Sequence, residues 1–151
     1  MFRSIVVGTD GSATATEAVH RAHELAGALA ADLHVVSAYR PPAVVLAATA
    51  EPGLSPSAFV EWAVAAQNDV RRLLDDVATE LAGPIPVTTH VVAAHPAAAL
   101  LAVAESVHAD LIVVGNRGMR GARRVLGSIP NDVSHRATCD VLVVDTVDAL
   151  A

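Results

Sequence analysis

Val114-Gly115-Asn116-Arg117-Gly118-Met119-Arg120-Gly121 closes an apolar run with three glycines in seven positions, and Gly127-Ser128 follows shortly after. The same stretch holds Arg117, Arg120, Arg123 and Arg124 and no acidic residue. Closely spaced glycines after a strand free backbone N–H groups to face an anion, and a serine at the next helix start adds a hydroxyl and the positive end of that helix. The chemistry expected of such a segment is a phosphate cradle. A second loop, Gly8-Thr9-Asp10-Gly11-Ser12, follows the first apolar run. The Asp10 carboxylate can accept hydrogen bonds from ribose hydroxyls, help hold a divalent cation such as Mg²⁺ against phosphates, or only cap the adjoining turn and helix.

Other chemistry is excluded or unsupported by residue type. All ten basic residues are arginine, so there is no P-loop lysine, no Schiff-base lysine and no kinase-type lysine. His20 and His23 stand three apart on one helical stretch, but zinc normally takes three or four protein ligands, and they read as solvated. His34, His90, His108 and His135 show no ligand spacing, and no nucleophile, base and acid trio is evident, so no catalytic residue is assigned. Cys139 is the single cysteine and opens an apolar run, where a buried, inert thiol is expected. The formal net charge of −6 disfavours broad attraction to nucleic acid or anionic membrane.

These loops need elements to position them. Five segments rich in Val, Ile and Leu read as strands: Arg3 to Gly8, Asp32 to Ala38, Ile85 to Ala93, Asp110 to Gly115 and Cys139 to Asp145. Helical patterns alternate with them. Ala15, Ala18, Val19, Ala22, Leu25, Ala26 and Leu29 form one apolar stripe, with Ser12 as its cap. Phe59, Ala63, Ala66, Val70, Leu73, Leu74, Val77 and Leu81 form a second, from Ser55-Pro56 to Gly83-Pro84. A third helix starts at Pro96, and a fourth runs from Ser128 towards Ala137. Apolar strands alternating with amphipathic helices predict one doubly wound α/β domain over residues 1–151, with a mostly parallel sheet covered on both faces. The connection from Arg40 to Ser57 holds Pro41, Pro42, Pro52 and Pro56 and leaves the carboxyl end of the second strand, so it reads as a flap or a solvated insertion. No apolar run approaches the roughly 20 residues of a membrane span. Met1-Phe2-Arg3-Ser4 leads straight into a strand without a signal-peptide pattern, so a cytoplasmic location is expected.

Over essentially its whole length the chain resembles a universal stress protein of the ATP-binding type. The residues that carry the likeness are the opening Ile5-Val6-Val7-Gly8-Thr9-Asp10-Gly11-Ser12, the turn Ser37-Ala38-Tyr39-Arg40-Pro41, the closing Cys139 to Thr146, and Gly115, Gly118, Gly127 and Ser128. The family pattern there is Gly-x2-Gly-x9-Gly-Ser/Thr; eight residues separate Gly118 from Gly127 here, one fewer. A second departure is Ala94-His95-Pro96, where many relatives have Gly-Asp-Pro or Gly-Asn-Pro.

The resemblance implies a five-stranded sheet in the order 3-2-1-4-5, which sets the first and fourth strands side by side. It implies that Gly8, Thr9 and Asp10 line the adenosine half of a nucleotide and that the Ala38 backbone contacts adenine. Gly115, Asn116, Arg117, Gly118, Met119, Arg120 and Gly121, with Gly127 and Ser128, would surround the phosphates of ATP. It implies a homodimer through the edge strand 139–145, and a nucleotide-dependent switch read by another, regulatory protein. Two alternatives stay open. One is a slow ATPase or self-phosphorylating protein, given Ser128 beside the phosphates. The other is a cyclic AMP sensor, since some relatives bind cyclic AMP and this loop is short.

Overall fold

The computed structural model describes residues 1–40, 55–116 and 129–146. The elements follow in strict alternation: β1 (Ser4–Gly8), α1 (Ala13–Leu29), β2 (Asp32–Tyr39), α2 (Pro56–Glu80), β3 (Val87–Ala93), α3 (Pro96–Ser106), β4 (Leu111–Gly115), α4 (Ile129–Arg136) and β5 (Asp140–Val144). The strands form one sheet in the order β3-β2-β1-β4-β5, all pairs parallel, so β1 and β4 are neighbours. The connection 41–54, expected as a flap or insertion, lies outside the described residues.

Strand side chains alternate between two cores. Ile5, Val7, Leu33, Val35, Leu111 and Val113 pack with α1 and with Leu74 and Leu81 at the end of the α2 segment. Val6, Val36, Ile112 and Val114 pack on the opposite face with α3 and with Val133 of α4. Because β1 and β4 are buried on both faces, they show no polar alternation in sequence, as expected of central parallel strands. Ala18, Ala22 and Ala26 are buried at helical spacing on α1, and their small side chains let that helix lie close to the sheet. Leu74 is only 1% exposed; its truncation to alanine would remove about 2–5 kcal/mol of stability.

The helix ends are set by short-range chemistry. Ser12 Oγ accepts from the Ala15 amide at 3.3 Å, and Ser55 Oγ accepts from the Ala58 amide at 3.3 Å, with Pro56 in the first turn of α2. α1 ends on Ala30 in the left-handed region, φ 52°. α2 stops at Glu80, just ahead of Gly83-Pro84. His95 caps α3 without a side-chain hydrogen bond.

Strand limits differ from the sequence reading by one or two residues, for identifiable reasons. β1 starts at Ser4 rather than Arg3: the amides of Arg3 and Ser4 both donate to the Asp110 carboxylate, at 2.7 and 3.0 Å. β3 starts at Val87 rather than Ile85, because Pro86 has no N–H to give the ladder; its carbonyl accepts from the Leu33 amide instead.

Candidate functional site

A cavity of about 360 Å³ opens at the carboxyl ends of β1, β2 and β4. Between β1 and β4 the chain reverses its winding direction, the place where open α/β sheets bind ligands. One wall is Gly8, Thr9 and Asp10, leaving β1. A second comes from Val36 and Ala38 of β2 with Pro96 and Leu100 of α3. The third is Val114 and Gly115, ending β4, and the floor is completed by Ser12, Thr14 and Ala15 of α1 and Ile129 and Pro130 of α4.

The loop after β1 is held by its own hydrogen bonds. The Thr9 amide donates to the Val36 carbonyl at 2.9 Å, tying the loop to β2. Thr9 Oγ1 accepts from the Gly11 amide at 3.2 Å and Asp10 Oδ1 from the Ser12 amide at 2.9 Å. Gly11 sits at φ +79°, a conformation glycine adopts without penalty. Asp10 is thus oriented by a turn of the kind in which an aspartate side chain accepts from the amide two residues on. It is exposed, and among the described residues it is the only titratable side chain lining the cavity. The turn-capping role therefore coexists with a place at the cavity mouth.

Two glycines make the cavity possible by close approach. A Cβ on Gly8 would lie 3.2 Å from Leu100 Cδ1, and one on Gly115 would lie 3.2 Å from Thr146 Cγ2 and 3.5 Å from the Thr14 carbonyl. A larger residue at either place would have to displace Leu100 or Thr146. The first turn of α1 contributes Thr14, 4% exposed, whose Oγ1 is 3.3 Å from Ser12 Oγ. A helix start lining a cleft places its partial positive charge there.

Of the residues expected at a nucleotide, Gly8, Thr9, Asp10, Ala38 and Gly115 meet at this one cavity. Asn116 does not line it. Its Nδ2 donates to Asp145 Oδ1 at 2.9 Å, its Oδ1 accepts from the Thr146 amide and hydroxyl, and its own amide donates to the Val144 carbonyl. Arg117, Gly118, Met119, Arg120, Gly121, Gly127 and Ser128 lie outside the described residues, although Gly115 before them and Ile129 after them both line the cavity. Thr14, Val36, Pro96, Leu100 and Ile129 belong to the lining without having been singled out. Val36 with Ala38 had the one available signal, since alternate residues at a strand's carboxyl end share a face.

Asp10 suits Mg²⁺ in one respect, because that ion is usually held by one or two carboxylates with substrate phosphates and water. No group of three or more metal-ligating side chains occurs among the described residues. Of the two α1 histidines expected to be solvated, His20 has 42% of its side chain exposed and His23 is not fully so. His20 Nε2 lies 2.8 Å from Glu80 Oε1, bridging α1 to α2, and His23 Nε2 is buried without a hydrogen-bond partner. Cys139 is half-buried, and burial together with Asp140 and Asp110 raises its pKa, which keeps the thiol protonated.

The fold and cleft define an open, parallel α/β domain with a cavity at its switch point. Residues 1–145 match the family model described as "Universal stress protein family", and the chain belongs to that family. It is 38% identical over 148 residues to universal stress protein Rv1636 of Mycobacterium tuberculosis, covering 96% of this chain and 97% of that one. A solved universal stress protein in complex with cAMP superposes with a TM-score of 0.71 at 32% identity, covering 96% of this chain and 98% of the other. UspA from Lactobacillus plantarum has the same fold, with a TM-score of 0.73 at 21% identity over 94% of this chain and 97% of its own. No helix among the described residues is long and apolar enough to cross a membrane.

Proposed function

We propose that this chain is a cytoplasmic adenine-nucleotide-binding regulatory protein whose ligand occupies the switch-point cavity. The observation that carries the reading is the convergence of Gly8, Thr9, Asp10, Ala38 and Gly115 on one cleft at the carboxyl ends of β1, β2 and β4. Its size suits a small-molecule ligand, since such sites are typically about 300–1,000 Å³. Ala38 and Val36, with Pro96 and Leu100, give an apolar slot for the base; Asp10 offers acceptors to the ribose; Gly115 and the start of α1 face the phosphates. Arg117 to Gly121, with Gly127 and Ser128, extend that phosphate end in sequence and complete the cradle for ATP. Asp10 is the residue that would hold Mg²⁺, which would add positive charge beside the phosphates.

The lining holds hydroxyls, apolar surface and one carboxylate, which equips it to bind and orient more than to move protons. The nucleotide acts as the signal, and a second protein reads the state it stabilises. The edge position of β5, where Leu142 and Val143 are 41% and 39% exposed, supports a homodimer through that strand. Cyclic AMP is the second reading, favoured by the 32%-identical relative solved with cAMP. Titration calorimetry with ATP, ADP, AMP and cyclic AMP separates the two: ATP is expected to bind one per chain and to displace cyclic AMP. Absence of binding by every one of them at millimolar concentration, with Mg²⁺ and folded protein, would overturn the proposal.

A further inference from the structure

His34 and His90 stand 56 residues apart in sequence and meet on adjacent strands. His34 Nδ1 lies 3.1 Å from His90 Nε2, the ring centroids are 5.3 Å apart and the planes are tilted by 46°. Parallel pairing fixes this meeting: Thr88 is the register partner of His34 and Val36 that of His90. Two residues along a strand return to the same face, so His34 shares a face with Val36 and His90 with Val92, the side packed by α3. Both rings are half-buried, so solvent reaches them while the sheet holds their backbones rigid.

Two imidazole nitrogens bound to one transition ion at about 2.0–2.1 Å lie about 2.9–3.4 Å apart when the angle between them is cis or tetrahedral. The observed separation falls inside that bite. We propose that His34 Nδ1 and His90 Nε2 form a two-histidine site for a divalent transition ion of the zinc, nickel or copper class, whose remaining positions water fills. The ion takes the place of the proton the two nitrogens share. The ring that carried that proton shifts tautomer, His34 to Nε2–H or His90 to Nδ1–H, and no net proton leaves two neutral rings. Burial lowers the pKa of both, and a charge on His34 further lowers that of His90, so protons compete weakly for the site near neutral pH. Asp32, two residues before His34 on the same strand, adds negative charge that favours a cation. Two protein ligands are fewer than the three or four zinc normally takes, and no group of three or more ligating side chains occurs among the described residues, so water holds the remaining positions and the ion is exchangeable rather than structural.

The test uses the full chain without a histidine tag, stripped with chelator and titrated with Zn²⁺ alone at about pH 7.5. One ion per chain is expected, with His34→Asn and His90→Asn each weakening binding by about 10-fold or more. Imidazole ¹⁵N resonances of the wild-type protein give a second readout that needs no variant. His34 Nδ1 and His90 Nε2 should shift on Zn²⁺ addition, while those of His20, His95, His108 and His135 stay in place. Zn²⁺ affinity unchanged in both variants, or shifts confined to other histidines, would overturn the assignment.

Discussion

Asn116 and Thr146 are joined twice: Asn116 Oδ1 accepts from the Thr146 amide at 2.9 Å and from its hydroxyl at 3.1 Å. Thr146 is 1% exposed, so these bonds replace water that cannot reach it. They also hold Thr146 against Gly115 at the cavity wall. Asn116→Ala leaves a buried donor pair unsatisfied and is expected to lower unfolding free energy by about 1–3 kcal/mol. Urea denaturation measures it, and a change below about 0.5 kcal/mol, typical of an indifferent surface site, would contradict the role.

Gly8→Val tests the close approach of β1 to α3. The new side chain must displace Leu100, which lines the cavity, from a Cβ only 3.2 Å away. Overpacking of this kind removes about 1–3 kcal/mol of stability, and ATP affinity should fall by about 10-fold or more. Adding Leu100→Ala makes room and should recover part of the affinity, a coupling that a double-mutant cycle reads directly.

The histidine pair predicts a pH dependence of stability in the absence of metal. Burial lowers the pKa of His34 and His90 below their ordinary 6.5, so the unfolded chain takes up protons that the folded rings refuse. Stability is therefore full above pH 6.5 and declines as pH falls below it, levelling once the folded rings also titrate. Asp32 opposes the shift at His34 and narrows the window. The His34→Asn/His90→Asn double variant should flatten this decline in chemical denaturation at a series of pH values; a slope equal to wild type would contradict it.

Much of this architecture was legible because its causes are local. Ser12 and Ser55 precede helices whose first free amides they accept, and the apolar runs of β1 and β4 announce central strands. The cavity's composition was half legible. Gly8, Thr9, Asp10 and Gly115 stand out as loop residues at strand ends, whereas Leu100 and Thr14 read as ordinary helix positions and join the lining only through the crossing of α1 and α3 over the sheet. Asn116 read as part of the phosphate segment, but its partners lie 29 and 30 residues on, at the exit of β5. The His34 and His90 contact depends on strand register, which no spacing in the sequence expresses.

An edge at β5 predicts association. Val143→Lys adds a charge to the exposed face of that strand, which blocks strand-to-strand pairing between copies. Sedimentation at micromolar protein should show a dimer for the wild type and a monomer for the variant. A wild-type monomer, or an unaffected dimer in the variant, would remove β5 from the interface.

The central claim is that an adenine nucleotide occupies the switch-point cavity, and backbone amide shifts during an ATP titration test it most directly. Saturable shifts are predicted at Gly8, Thr9, Asp10, Thr14, Ala38 and Gly115, with Val77, which packs against the core on the other face of the sheet, unmoved. No shift at millimolar ATP with Mg²⁺ present, or shifts confined to residues away from the cavity, would contradict it.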